Sequence, residues 1–432
     1  KGNDSASPSQ LKVVNAKPKL QEQRCYDPPG GTLKPLRLVF TYALYGLLAV
    51  FPGLPVLLVV AVFIIPAQLL VKSFVRIDDS EVSAKVISPV GSTSPSPARV
   101  FTLLTYNIAG LSPQVNVNPP WRRLQELCTR LNEMEEQPDV ICFQESFSSR
   151  VSNRIIGKTL TSYPYKVIEP IPIPPSLPLV GTTLQMNSGL CIVSKFPITS
   201  CTAKAYGTSC GADYQANKGV ICATLDVGGG RTVKVVTTHM QSDPCNDPLW
   251  WCTSKPYESA RDVKAEQLGI LSSVASKALE EGKKEKGFKG VLVCGDLNVP
   301  GEEVVETAGD ADSASFELKP HEEYNSMVSL LPNGAVDCFR STHALGAAAV
   351  PKSDAGFTID GSRNLDNSEE ELLRLDYVFS LGDGIECTKA RVEEFPWTDL
   401  YEGGAEGDDK DGRRKCFSDH SAVWTEFKVN GE

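Results

Sequence analysis

Two kinds of apolar pattern run along this chain and divide it. From Leu36 to Val71 the sequence is apolar almost without a break, LRLVFTYALYGLLAV, then FPGLP, then VLLVVAVFIIPAQLLV, with no charge after Arg37 until Lys72. From about Arg99 onward, short apolar runs recur between polar stretches: VFTLLTYNI, DVICFQE, SGLCIVS, GVICATLDV, TVKVVTTHM, GVLVCGDLN, RLDYVFS and HSAVWTEF. They are rich in β-branched residues and read as strands. Residues 121–135 (WRRLQELCTRLNEME) and 258–281 (ESARDVKAEQLGILSSVASKALEE) read as helices. Several strands follow one another through loops and not through helices. The pattern therefore predicts an α/β fold, stacked mixed sheets covered by helices, over residues 99–432. No internal repeat is visible.

The apolar block is too long for the single short apolar region of a signal peptide. Pro52, Gly53 and Pro55 split it into arms of roughly 15 residues, shorter than the ~20 a straight spanning helix needs. Proline removes a backbone donor and clashes with the preceding turn, so the break falls between the arms. The pattern predicts a membrane-inserted hairpin over 36–72, with a single span from Leu54 to Val71 as the other reading. Lys34, Arg37, Lys72 and Arg76 flank it; they suit anionic lipid headgroups and favour the cytosolic face. Residues 1–35, punctuated by proline and glycine, read as a flexible tail, and Ser/Pro-rich 73–98 as a linker.

Charge sharpens the division. The whole chain carries a net −10, but residues 1–99 hold 11 basic and 6 acidic side chains, a net +5, which leaves −15 for 100–432. So acidic a portion is a poor partner for a polyanion, and no nucleic acid is expected to bind. The 13 cysteines contain no C-x-x-C pair, so zinc-finger spacing is absent.

The strand runs end in residues that an apolar core would not hold. VFTLLTYN ends in Asn107, DVICFQE in Glu145, VKVVTTH in His239, and VLVCGDLN in Asp296 and Asn298; LRLDY carries Asp376, and FSDHSAVW opens with Asp419 and His420. One such residue is ordinarily a turn or cap. Six strand ends on one rim of a sandwich would bring oxygen donors and two imidazoles together, a setting for a hard cation beside acid–base groups.

The ordered segments TYN (105–107), CFQE (142–145), TTHMQ (237–241), GDLN (295–298), RLDY (374–377) and SDH (418–420) resemble the metal-dependent endonuclease/exonuclease/phosphatase superfamily, whose DNase I-like fold implies a four-layer α/β sandwich. Within it, NSGLCIVSKFPI (187–198), SCGADYQANKGVICATLDV (209–227), the run from His239 to Leu268 and FTIDGSRN (357–364) look like neutral sphingomyelinases. The hairpin with its PGLP turn, and the order of hairpin, linker and catalytic domain, are similar to the mammalian ones.

That resemblance implies Mg²⁺-dependent, phospholipase C-type cleavage of sphingomyelin to ceramide and phosphocholine at a membrane, with Mn²⁺ as a substitute ion. It implies Glu145 as the principal metal ligand, with Asn107 and Asp419 beside it. His420 would be the general base, oriented by Asp376. Asp296 and Asn298 would position the phosphate or nucleophile, and His239 would donate to the phosphoryl oxygen. Lys218 of NKG would add a cation, and Asp213, five residues before it, an activation switch. Relatives carry an Arg where KAEQL has Lys264, and lysine cannot reproduce a bidentate contact; Lys264 is therefore left out of the site. Trp250 and Trp251 suit a membrane interface or a quaternary ammonium. Cys210, Cys245 and Cys252 fall where secreted bacterial relatives form a disulfide, although the lack of an N-x-S/T sequon in 100–432 favours thiols. A nuclease of the same fold, another phosphosphingolipid hydrolase such as one for inositol phosphosphingolipid, an inositol-phosphate 5-phosphatase and a catalytically dead adaptor are the competing readings.

Overall fold

The computed structural model describes residues 81–89, 98–110, 120–148, 150–171, 186–211, 213, 216–242, 260–308, 315–343, 345, 349–360, 372–396 and 416–430. The predicted tail and hairpin, Trp250, Trp251, Cys245 and Cys252 lie outside them. Among the described residues no helix is long and apolar enough to cross a membrane.

The central strands of both sheets bury both faces. Leu103 packs between the sheets while Leu104 faces outward, because successive strand residues point to opposite sides. Two seven-stranded sheets result. The first runs in the order β1 (Val82–Ser83), β7 (Ile198–Ala205), β8 (Gly219–Asp226), β9 (Thr232–His239), β10 (Phe288–Asp296), β17 (Asp376–Leu381), β13 (Val336–Asp337). The second runs β18 (Ile385–Glu393), β19 (Ala422–Val429), β3 (Val100–Asn107), β4 (Val140–Gln144), β6 (Cys191–Ser194), β5 (Tyr165–Ile168), β2 (Val86–Ile87). The short strands β11 (Glu302–Ala308), β12 (Ser315–Pro320) and β14 (Val350–Pro351) form a side sheet, and β15 (Ile359–Asp360) pairs with β16 (Leu372–Leu373).

The sheets stack through a shared core that includes Leu103, Val140 and Ile192 from one and Ile221, Val235 and Leu292 from the other. Helix α1 (Pro120–Glu133) covers the second sheet with Leu124, Leu127, Cys128 and Leu131, an i, i+3, i+4, i+7 stripe. Helices α2 (Ala260–Gly282) and α3 (Glu322–Leu330) cover the first, through Leu268, Leu271, Ala275 and Met327. The predicted stacked sheets flanked by helices are what the chain builds.

The linker boundary needs correction. Val82–Ser83 pairs with Ala203 and Thr202, and Val86–Ile87 with Val167 and Lys166, so this segment supplies an edge strand to each sheet in turn. Its physical reason is an alternation, Val82, Ala84, Val86, that turns one side to the core, where Ala84 is buried. The sandwich therefore takes in residues 82–87, which the Ser/Pro composition of 78–98 obscures.

Candidate active site

Strand direction gathers the rim. β9 and β10 are parallel with His239 beside Asp296, and β3 and β4 are parallel with Asn107 beside Gln144, so all four ends emerge on one side. β17 runs antiparallel to β10 and begins there, Asp376 opposite Asp296. β19 starts at Ala422, antiparallel to β3, which leaves Ser418–His420 at the same rim. The close strand contact requires Gly295: a Cβ there would come within 2.0 Å of the Thr238 carbonyl. Glu145 and Asn298 turn off their strands at φ 60° and 51°, a left-handed conformation that non-glycine residues hold only where the surroundings enforce it.

Six of the predicted residues form one connected network. Asn107 Nδ2 donates to Asp296 Oδ2 at 2.9 Å and to Glu145 Oε1 at 3.2 Å, while its Oδ1 accepts from Ala109 N. Both ends of its amide are thus engaged, so it braces the two carboxylates. His420 Nδ1 meets Asp376 Oδ2 at 2.8 Å, and Nε2 lies 3.7 Å from Asp296 Oδ2. His239 Nε2 lies 3.5 Å from Asp296 Oδ2 and 3.9 Å from Glu145 Oε1. Asn298 reaches the rim differently: its backbone N donates to Asp296 Oδ1, and its amide is spent on the Met240 carbonyl. Asp419 accepts from Ser418 Oγ, which also donates to the Asn107 carbonyl.

Lys218 Nζ donates to Asp213 Oδ2 (2.8 Å), to the Met240 carbonyl (2.9 Å) and to His239 Nε2 (3.0 Å). Lysine has no acceptor, so His239 must receive that bond at Nε2 and carry its proton on Nδ1, a buried atom with no partner among the described residues. His239 Nε2 thus faces Lys218 as an acceptor, whereas the resemblance implied His239 as the donor to the phosphoryl oxygen. Asp213 also accepts from the backbone N and hydroxyl of Ser242, tying the NKG segment to the end of β9.

Burial, more than like charge, sets the electrostatics of the rim. Burial, reinforced by the Asp419 carboxylate, pushes Glu145 up to about 7. Burial likewise raises Asp296 to about 6, with Asp376 adding to the effect. Burial works against a charged His420, yet the Asp376 and Asp296 carboxylates outweigh it and hold the imidazole well above its ordinary value. His239 is driven the other way, well below 6.5, by burial and then by Lys218 and His420. Asp296, Asp376 and His420 offer three ligand atoms within 4.8 Å of one another, and Asp376 Oδ1 is buried without a partner among the described residues. This tight group differs from the predicted Glu145, Asn107 and Asp419 set, with which it shares the rim. Carboxylates held above their usual range, with an orphaned oxygen among them, fit a divalent cation with a preference for oxygen ligands.

Sequence reasoning missed two buried cations that fix the rim. Arg123 of α1 reaches the carbonyls of Ile108, Ala109 and Phe417, joining the loop after Asn107 to the one before His420. Lys264, which the family comparison of its motif left out of the site, donates to the Asn298 carbonyl at 2.8 Å. Replacing Lys264 with methionine should free the left-handed Asn298 turn and lower turnover about tenfold; unchanged kcat in a folded Lys264→Met protein would remove it from the site.

Residues 104–420 match the Endonuclease/Exonuclease/phosphatase family. The chain belongs to that family. A phospholipase C of Staphylococcus aureus is 26% identical over 175 residues, 37% of this chain and 46% of that protein. A sphingomyelinase of Dictyostelium discoideum is 28% identical over 213 residues, 46% of this chain and 43% of that protein. The chain thus spans less than half the length of these two relatives. Among solved structures, a Staphylococcus aureus beta toxin superposes with a TM-score of 0.50 at 21% identity, over 75% of this chain and 99% of that one, a likeness of fold. The resemblance carried by the six rim segments is borne out at the level of the family.

Proposed function

We propose that this family member hydrolyses a phosphodiester of sphingomyelin, phospholipase C-fashion, at a membrane surface. The observation that carries the reading is the Asp376–His420 pair, 2.8 Å apart and aimed at Asp296, across the rim from Lys218. With Nδ1 held by Asp376, His420 Nε2 is the nitrogen left to take a proton from water. Asp296 lies within 4 Å of both His239 and His420 and would hold that water between them. Lys218, its three N–H bonds directed to Asp213, His239 and the Met240 carbonyl, would add fixed positive charge beside the phosphoryl oxygens as charge builds there. Glu145, Asp296, Asp376 and Asp419 would hold Mg²⁺, with Mn²⁺ as a substitute. When bound, the ion supplies positive charge that offsets the developing phosphate charge and lowers the proton affinity of His420 and Glu145.

Relatives named sphingomyelinase and phospholipase C support the substrate class, and a zwitterionic lipid tolerates the acidic domain. The apolar block at 36–72 would anchor the enzyme as a hairpin on the cytosolic face, its basic flanks against anionic headgroups. Nucleic acid is not the substrate in this reading.

The test is release of labelled headgroup from sphingomyelin in mixed micelles, with Mg²⁺ or with EDTA, beside phosphatidylcholine, an inositol phosphosphingolipid and plasmid DNA. Sphingomyelin should be cleaved with Mg²⁺ and lose at least 10³-fold in EDTA. Cleavage of DNA without any lipid would replace the reading with that of a nuclease.

A further inference from the structure

Behind the rim lies a second charged cluster that the proposed chemistry does not use. Arg374, 1% exposed, makes a two-pronged contact with Glu302 (Nε to Oε2 and Nη2 to Oε1, both 2.8 Å) and reaches Asp337 Oδ2 at 2.9 Å. Arg340 closes on Glu302 Oε1 at 2.6 Å, and the Tyr324 hydroxyl donates to Asp337 Oδ2 at 2.9 Å. Two cations and two carboxylates balance. Such a cluster is a weak source of stability, since removing each ion from water costs about what its partner returns, and apolar packing would serve as well. What it supplies is geometry, because the planar guanidinium fixes its partners' directions.

The directions lead to the rim. The Arg374 carbonyl accepts from Gly301 N at 3.0 Å and lies 2.9 Å from the Tyr377 hydroxyl, whose single proton it shares with the Val299 carbonyl at 2.6 Å. Leu297 N donates to the Leu375 carbonyl at 3.0 Å. Asp376 and Asn298 therefore sit on two segments stitched together in register, and the stitching closes on the cluster through Glu302. Gly301 shows how tightly: a Cβ there would stand 2.8 Å from the Tyr377 hydroxyl and 2.9 Å from Arg374 Nε.

We infer that Arg374, through Glu302 and the Tyr377 hydroxyl, is a positioning residue that sets Asp376, and hence His420, against the Asp296–Asn298 turn. The inference rests on the proposed hydrolysis, and its test separates the two. Wild type, Arg374→Lys and Tyr377→Phe are assayed on sphingomyelin micelles, with kcat expressed per folded molecule from thermal unfolding. Tyr377→Phe deletes one hydroxyl from a packed ring and keeps the fold. A displacement of the order of 1 Å costs up to about a hundredfold, so kcat should fall about tenfold in Tyr377→Phe and more in Arg374→Lys, with KM unchanged. Folded variants that keep wild-type kcat would overturn the inference and leave a structural cluster. A wild type inactive on every phosphodiester would instead overturn the hydrolytic reading.

Discussion

His420→Ala should lower sphingomyelin hydrolysis by about 10²- to 10⁴-fold, the range a positioned general base supplies, with little change in KM. The ring is buried and its Nδ1 is committed to Asp376 at 2.8 Å, so no described neighbour can replace Nε2. Asp376→Asn should behave differently. The imidazole stays, but it loses the carboxylate that holds its pKa up. That pKa falls, the base becomes available at lower pH, and the acid limb of the rate profile moves to lower pH as the maximum rate drops about a hundredfold. A His420→Ala enzyme retaining a tenth of wild-type activity would remove His420 from the chemistry, and an Asp376→Asn profile with an unmoved acid limb would break the pairing.

The rim was legible because strands have a sharp grammar. An apolar run that ends in Asn107, Glu145, His239 or Asp296 announces both a strand and the place where it leaves the core, and two parallel pairs put those ends side by side. The sandwich was readable for the same reason, since strands buried on both faces appear as unbroken apolar runs. Other features had no such signature. The edge strands at 82–87 are two residues each, and their alternation is drowned by the Ser/Pro stretch around them. Arg123 and Arg374 are charged residues in the polar-looking segments WRRLQ and RLDY; only the folded chain shows that both are buried, Arg123 aimed at backbone of the rim and Arg374 at carboxylates behind it. Residue type likewise could not show the proton placement at His239, which follows from where Lys218 Nζ comes to rest. Long-range pairing of this kind is written in three dimensions and not in spacing.

Glu145→Gln should cost about 10³-fold in turnover, near 4 kcal/mol of barrier, and its clearest signature should be in stability. Glu145, raised to about 7, binds a proton in the folded state that the unfolded chain has already released. The stability this contributes is full below the ordinary carboxylate value and is lost as pH rises through about 7. His420, also raised, loses its contribution in the same direction at higher pH. His239, lowered, opposes them only below its ordinary 6.5. Between pH 6.5 and about 8 the metal-free protein should therefore become less stable. Millimolar Mg²⁺ should reverse that, because a cation binds the ionised carboxylate that the proton would otherwise occupy. The rise in Tm on adding Mg²⁺ should be larger at pH 8 than at 6.5. In Glu145→Gln, which keeps the shape and removes the charge, it should nearly vanish, and the pH slope should flatten up to about 7 while the His420 part above it remains. An equal Mg²⁺ increment in wild type and Glu145→Gln would move the ion away from Glu145, toward Asp296, Asp376 and His420, and the same titration on Asp376→Asn would then locate it.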